Sequence, residues 1–312
     1  MTKSGAVTVV GSYMHDVNVA VDRFPAPGET RMGTSRLESH GGKGGNQAVQ
    51  SALCGAKTAF IAAVGDDAAG RAAMTFWRER GMDDSAAIAV PGGDTGLALI
   101  LVNQAGQNLI VVEPGANSLL DVADVERGAR IIGQAAIVVS QLETPQAATI
   151  RAFEIAHVAG GTTLLNAAPA QVAPEPALVA LTDILVVNEI ESTQMLGVAE
   201  SADKREVGTA LLARVRRAVI LTLGEGGALL FEKDRPIVHQ PALAVQAIDT
   251  TGAGDAFIGA FAAHWAAHGD MRAALAYGVV AGSLACTRRG TVPSLATRNE
   301  IELALARLPP MA

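Results

Sequence analysis

Cysteine, aromatic rings and long apolar runs are all scarce in this chain, and each scarcity removes a class of protein. The only cysteines are Cys54 and Cys286. Two separate thiols in apolar, helix-like stretches build neither a disulfide framework nor a zinc site. Aromatic residues amount to 4%, while alanine and glycine are abundant, a balance suited to close packing of helices on a sheet. No apolar stretch reaches the ~18 residues needed to span a bilayer. Residues 1–5 lack the charged-then-apolar pattern of a leader, so a cytoplasmic protein is expected, with no membrane partner. Basic runs are missing too: Arg216-Arg217 and Arg288-Arg289 are only pairs, and the net charge is −7. That excludes the electrostatic footprint of a nucleic-acid binder. It leaves phosphorylated ligands open, because local dipoles bind phosphate on an acidic protein.

What is present is a core-forming composition, 49% apolar and 18% charged over 312 residues. Short apolar runs at 6–10, 58–64, 136–140, 163–166, 184–187, 218–223 and 228–231 read as strands. Several are continuous, as strands buried on both faces are. Helical patterns near 45–55, 69–81, 145–159, 203–216, 254–268 and 271–287 alternate with them. The alternation predicts an α/β fold with a mostly parallel sheet covered by helices. Two segments depart from it. Residues 12–40 contain Phe24-Pro25-Ala26-Pro27-Gly28 and no good helix, and residues 95–112 read as a hairpin with a polar turn at 103–108. They predict a small β-sheet, either a lid closing on substrate or a plain edge hairpin. No linker or repeat divides the chain, so one domain over 1–312 is expected.

Glycine clusters carry the chemical information. Two familiar nucleotide motifs fail. The pattern G-x-G-x-x-G is broken by Phe257 after Gly252-Ala253-Gly254 and by Leu229 after Gly224-Glu225-Gly226, and neither cluster lies in the first βα turn. A P-loop around Gly42-Lys43 fails at Leu37 and Gly44. The stretch 249–257 reads DTTGAGDAF, after a strand-like run and before an apolar helix. Glycines there open a helix whose free amides and positive end converge on one spot. An aspartate at a helix start ordinarily caps it, but a carboxylate beside an anion hole also suits phosphoryl transfer, accepting a hydroxyl proton. The second cluster, Gly41-Gly42-Lys43-Gly44-Gly45-Asn46-Gln47, precedes the helix near 45–55 and alone is an ordinary glycine turn.

In order along the chain these clusters become specific. Residues 41–67, reading GGKGGNQAVQSALCGAKTAFIAAVGDD, resemble the first signature of the PfkB carbohydrate kinases, and residues 249–257 resemble the second. Residues 11–16 followed by 24–30, then Gln141-Leu142-Glu143, Asn166 with Ala168-Pro169-Ala170, Asn188-Glu189-Ile190-Glu191 and residues 287–294, are similar to the ribokinase branch of that family. The resemblance covers nearly the whole chain. It implies a Rossmann-like three-layer sandwich with a small β-sheet lid formed by about 12–40 and 95–112, and a homodimer paired through the lids. It implies an ATP-dependent sugar kinase, with Asp255 as base and Gly252, Ala253 and Gly254 as the anion hole. Met14, Asp16, Gly42, Lys43, Asn46, Glu143 and Asp255 match sugar-contacting positions. Asn188 and Glu191 match a motif that organises Mg²⁺ partly through water. Thr222, Gly224 and Gly227, with Asn188 and Gly254, match nucleotide contacts. Asp249, Thr251, Ala285, Arg288, Gly290 and Ser294 align with a K⁺ site made mostly of backbone carbonyls.

On their own, Glu191 reads as a solvated helix charge and Glu143 as a helix N-terminal charge. Three other functions stay in competition. A nucleotide-binding oxidoreductase needs the glycine motif that residues 11–16 lack. A sugar sensor without catalysis predicts loss of Asp255 or its glycines. A nucleoside or hexose-phosphate kinase of the same family differs in its opening residues.

One departure bears on specificity. Ribokinases place an asparagine two residues before the aspartate that Asp16 matches, where it binds ring hydroxyls; here Met14 stands there. A thioether offers no useful donor. A sugar lacking that hydroxyl, such as 2-deoxy-D-ribose, would lose nothing, whereas in a plain ribokinase a water or neighbouring group compensates.

Overall fold

The structure is a computed structural model that describes residues 5–312. Residues 1–4, part of the stretch read for a leader, lie outside the described residues. The strands in chain order are β1 (Ala6–Val10), β2 (Met14–Ala20), β3 (Ser35–Gly41), β4 (Lys57–Ile61), β5 (Ala63–Gly65), β6 (Ile88–Val90) and β7 (Leu97–Val102). They continue with β8 (Asn108–Glu113), β9 (Ile137–Ser140), β10 (Thr162–Asn166), β11 (Ile184–Asn188), β12 (Ala218–Thr222), β13 (Ala228–Glu232) and β14 (Val238–Gln240).

Eight of them form one sheet in the order β14-β13-β12-β11-β10-β9-β1-β4. From β4 to β12 every pairing is parallel, and β13 and β14 add antiparallel strands at one edge. Strand side chains alternate between faces, and here both faces are buried. Val7, Val9, Ile137, Val139, Ala218 and Ile220 pack into one core with the helices Lys43–Leu53, Ala253–His268 and Met271–Ala285. Val10, Val138, Leu165, Val219 and Leu221 pack into the other, with Ile132, Phe153, Leu178 and Leu211 from the opposite helix layer. The result is the expected three-layer α/β sandwich.

Several boundaries differ from the sequence reading. The run 58–64 is two strands: β4 ends at Ile61, and β5 leaves the main sheet to pair with β6. The stretch before Asp249 is irregular rather than a strand, because residues 241–248 have no ladder partner. The helix expected near 45–55 begins at Lys43. Its first turn can lie against the chain after β1 because Gly44 has no side chain; a Cβ there would stand 2.6 Å from the Ser12 amide nitrogen.

The remaining long strands make a second sheet, β3-β2-β7-β8. Pairs β3-β2 and β7-β8 are antiparallel and β2-β7 is parallel. Asp67 ties the base of this sheet to the sandwich. Its carboxylate caps the helix Ala68–Glu79 through the Gly70 amide at 2.7 Å, and it accepts from the Thr95 hydroxyl at 2.6 Å and the Thr95 amide at 2.8 Å.

Burial pushes the Asp67 carboxyl up, but the bonds from Thr95 and Gly70 outweigh it and hold it below the ordinary carboxylate range. A depressed folded pKa stabilises fully above the unfolded value near ~3.9 and is lost as pH falls through the folded one. Asp67→Ala is therefore expected to lower unfolding stability by about 1–3 kcal/mol at pH 7. In urea titrations the difference from wild type is expected to shrink below about pH 3.9.

Candidate active site

The parallel strands deliver their polar residues to one edge. β1 leads to Ser12, β9 to Gln141 and Glu143, β10 ends on Asn166, β11 on Asn188 and β12 on Thr222. Ligands of open α/β sheets bind beyond such carboxyl ends. The helices Lys43–Leu53 and Ala253–His268 begin at the same edge.

Asp255 sits in the first turn of Ala253–His268 but does not cap it. The cap position is Gly252, left-handed at φ 79° and without a side-chain bond. A Cβ there would also stand 2.6 Å from Thr291 Cγ2, so only glycine opens this helix. The amides of Gly254 and Asp255 have no acceptor among the described residues, whereas the Ala253 amide donates to the Thr250 carbonyl at 3.2 Å. Free amides at a helix N-terminus form an anion site. The Asp255 carboxylate is held by the helix Lys43–Leu53. It accepts from Asn46 Nδ2 at 2.9 Å and from Gln47 Nε2 at 2.9 Å. Burial raises its pKa, Lys43 and the two amides oppose that, and Glu143 adds to it; the net direction is up.

The groups matched to sugar contacts converge around it. Glu143 precedes the helix Gln146–Val158 and is no helix-end charge. Its Oε2 accepts from Ser12 Oγ at 2.5 Å and from the Lys43 amide at 3.0 Å. Asp16 is raised to about 7, by burial first and then by the Glu143 and Asp255 carboxylates. For Lys43, burial works to lower the ammonium, but Asp255, Glu143 and Glu191 outweigh it and hold it above its usual range. Gly42, at φ 80°, lets the helix start pass close to β2; a Cβ would stand 2.7 Å from the Met14 amide nitrogen. Met14 is buried on the Asp16 face of β2, with its Sδ 3.6 Å from Asn117 Nδ2.

Asn188 and Glu191 cap the helix Glu189–Leu196 reciprocally, with bonds of 2.8 and 2.9 Å between each side chain and the other's amide. Glu191 is only 7% exposed, which rules out a solvated helix charge. Burial raises it, against the Asn188 amide and Lys43. Among the described residues no group of three or more His, Cys, Asp or Glu side chains is placed to hold a metal. A single carboxylate here fits a cation that arrives on phosphates and keeps its waters. Thr222 is paired in register with Asn188, and Gly224 and Gly227 bracket the turn into β13.

The residues aligned with a K⁺ site come from two loops that the structure ties together. Asp249 accepts from the Thr251 and Gly290 amides, each at 3.0 Å. The Ile248 and Asp249 amides donate to the Cys286 carbonyl, beside Ala285. Ser294 donates to the Thr291 carbonyl, and the Arg288 guanidinium turns away to Glu300. What Arg288 offers these loops is its carbonyl, so the oxygen-rich pair fits a monovalent cation.

Sequence reasoning gave no role to Ser12, Gln47 or Asn117. Their type carried no signal; each acts through contacts 100 or more residues away.

Comparison with known proteins agrees with this geometry. Over 273 residues the chain is 37% identical to the ribokinase of Mus musculus, covering 86% of this chain and 84% of that protein. It is 33% identical to the deoxyribokinase of Salmonella typhi, covering 94% and 97%. It superposes on the Arabidopsis thaliana ribokinase complexed with ribose and ATP with a TM-score of 0.89, at 28% identity and over 97% and 99% of the two chains. Residues 5–298 match the pfkB family carbohydrate kinase, and the chain belongs to that family.

Proposed function

We propose that this carbohydrate kinase transfers the γ-phosphate of ATP to the 5-hydroxyl of a pentose, with Asp255 as the base, and prefers 2-deoxy-D-ribose to D-ribose. The observation that carries the chemistry is the placing of Asp255: a buried carboxylate in the same helix turn as the unpaired Gly254 and Asp255 amides. The carboxylate takes the hydroxyl proton as the oxygen attacks. The unpaired amides of Gly254 and Asp255, on the 252–254 turn, stabilise charge on the moving phosphoryl group.

Asp16, Lys43, Asn46 and Glu143 hold the sugar. Asn46 Oδ1 is buried with no partner among the described residues, which leaves it free to accept from a hydroxyl. Thr222, Gly224, Gly227 and Asn188 line the nucleotide side. Mg²⁺ carried on ATP would neutralise its phosphates, with Asn188 and Glu191 holding it through water. K⁺ between the 249–251 and 285–294 loops would steady the anion hole. Use of ATP supports a cytoplasmic setting.

The preference for deoxyribose rests on Met14 and Asn117. The amide nearest Met14 could replace the missing asparagine only if it had a donor to spare. Asn117 Nδ2 already donates to the Tyr13 carbonyl at 2.7 Å and the Pro114 carbonyl at 2.8 Å, and its Oδ1 accepts from the Tyr13 amide. Both N–H groups are used, so a 2-hydroxyl facing Met14 goes unpaired, at about 1–3 kcal/mol.

The second sheet is read as a lid on a domain spanning 1–312. Its edge strand β8 is exposed throughout, with Leu109, Ile110, Val111 and Val112 at 51, 50, 66 and 51%. An exposed apolar edge strand seeks a partner, and a second copy's lid supplies one, giving a homodimer.

Asp255→Asn is expected to cut kcat at least ~10²-fold while calorimetry still detects sugar binding; kcat near wild type overturns the base assignment. Met14→Asn is expected to move the kcat/KM ratio towards ribose by about 5–150-fold. A native enzyme with a strong ribose preference ends the deoxyribose assignment. Ile110→Glu combined with Val111→Lys is expected to convert the dimer to a monomer in analytical ultracentrifugation, and a native protein that already sediments as a monomer contradicts the lid pairing.

A further inference from the structure

Three amides quoted in the motifs above are left unused by the proposed chemistry: Gln47, Gln141 and Asn166. They form one buried chain that ends on the base. Gln47 Nε2 donates to Asp255 Oδ1 at 2.9 Å and to Asn166 Oδ1 at 3.2 Å. Gln47 Oε1 accepts from Gln141 Nε2 at 2.6 Å. Gln47 and Gln141 are 0 and 1% exposed, so bulk water does not compete.

The direction of the chain is fixed at its Asn166 end. Asn166 turns its Nδ2 to the Val186 carbonyl at 3.4 Å, which leaves its oxygen towards Gln47. With that oxygen and the Asp255 carboxylate both accepting from it, the Gln47 NH₂ is turned to Asp255 and its Oε1 to the Gln141 NH₂, while Gln141 Oε1 is buried without a partner among the described residues. An amide held with its N–H groups towards a carboxylate bonds the ionised form and clashes with the protonated one. We propose that Gln47 is a positioning residue for phosphoryl transfer: the relay Gln141–Gln47–Asp255, braced by Asn166, holds the base ionised and aimed at the sugar hydroxyl.

The surroundings create the need. Lys43 is the ammonium facing Asp255. Against it stand Glu143 beyond β9, Asp16 on β2 and Glu191 on the helix Glu189–Leu196. Burial and those carboxylates disfavour a second negative charge. Asn46 supports the other oxygen of Asp255, but it also faces the sugar. Gln47 reaches only Asp255 and the two amides behind it.

The inference rests on Asp255 being the base, and the test separates the two. The kcat–pH profile is measured at saturating sugar and ATP for wild type, Asp255→Asn, Gln47→Met and Gln141→Met. Gln47→Met keeps the length of the side chain and removes its donors. It is expected to lower kcat about 10-fold or more below neutrality and to move the acid limb up by about one to two pH units. Sugar KM stays within about 3-fold, and activity recovers in alkali. Gln141→Met, acting one bond further out, is expected to move the limb the same way by less. An acid limb that stays put in Gln47→Met, with kcat lowered equally at every pH, overturns the relay. If Gln47→Met does not fold, Gln141→Met decides by the same criterion. Activity retained in Asp255→Asn overturns the base role itself, whereas an inert Asp255→Asn with unmoved limbs overturns the relay alone.

Discussion

Burying the Asp255 carboxylate is the constraint on which the rest of the cleft depends. An ionised carboxylate taken out of water costs several kcal/mol unless its oxygens are bonded. Here the bonds come from Asn46 and Gln47, on a helix some two hundred residues earlier in the chain. Side-chain amides reach only a few ångströms, so the helices Lys43–Leu53 and Ala253–His268 must pack almost backbone to backbone. They do so through small residues, with Ser51 Oγ donating to the Gly259 carbonyl at 2.9 Å. The poverty in aromatics and the wealth of alanine and glycine are what that approach requires.

The same burial shapes the electrostatics of the cleft. Glu143, Glu191 and Asp255 face Lys43, and Asp16 lies beside Glu143 and Asp255, so four carboxyl groups gather about one ammonium. Asp16 answers by holding its proton to about 7. A neutral, hydroxyl-rich sugar suits such a cleft, because carboxylates accept hydroxyl protons. A polyphosphate does not, unless it brings a cation and meets dipoles. The unpaired amides of Gly254 and Asp255 provide the dipoles. One cleft therefore offers two surfaces of opposite electrostatic character, carboxyl groups on one side and free amides at a helix end on the other.

The main sheet, apart from its edge strand β14, was legible in the sequence because its strands are continuous apolar runs, whereas the short Val238–Gln240 carries no such run. The glycine clusters were legible because glycine marks where backbone must come close. The break after Ile61 was not, since nothing local marks the point at which β5 stops pairing with the main sheet and joins β6. Glu191 was misjudged by residue type alone, which cannot tell a buried carboxylate from a solvated one. The amide relay was out of reach for a deeper reason. Gln47, Gln141 and Asn166 are ordinary residues on three elements, and only the order of strands β9 and β10 beside β1 brings them together.

The second sheet carries Met14 and Asp16 on one strand and an exposed apolar edge on another. Met14 and Asp16 lie on one face of β2, and the register places Ala98 and Val112 in the row of Asp16, with Ile100 and Ile110 in the next row of that face. The opposite face carries Val17, Leu99 and Val111 in a single row. Strand alternation should leave a surface sheet with one polar face, yet both faces here are apolar, and Leu99 and Val111 stay 45 and 66% exposed. A sugar can cover only the part of one face around Met14 and Asp16. The rest needs apolar cover of its own, and a sheet of four strands gains little stability until it has it. The strand that carries Met14 and Asp16 thus belongs to the element least able to stand alone, and whatever covers that element also bears on where those two side chains sit.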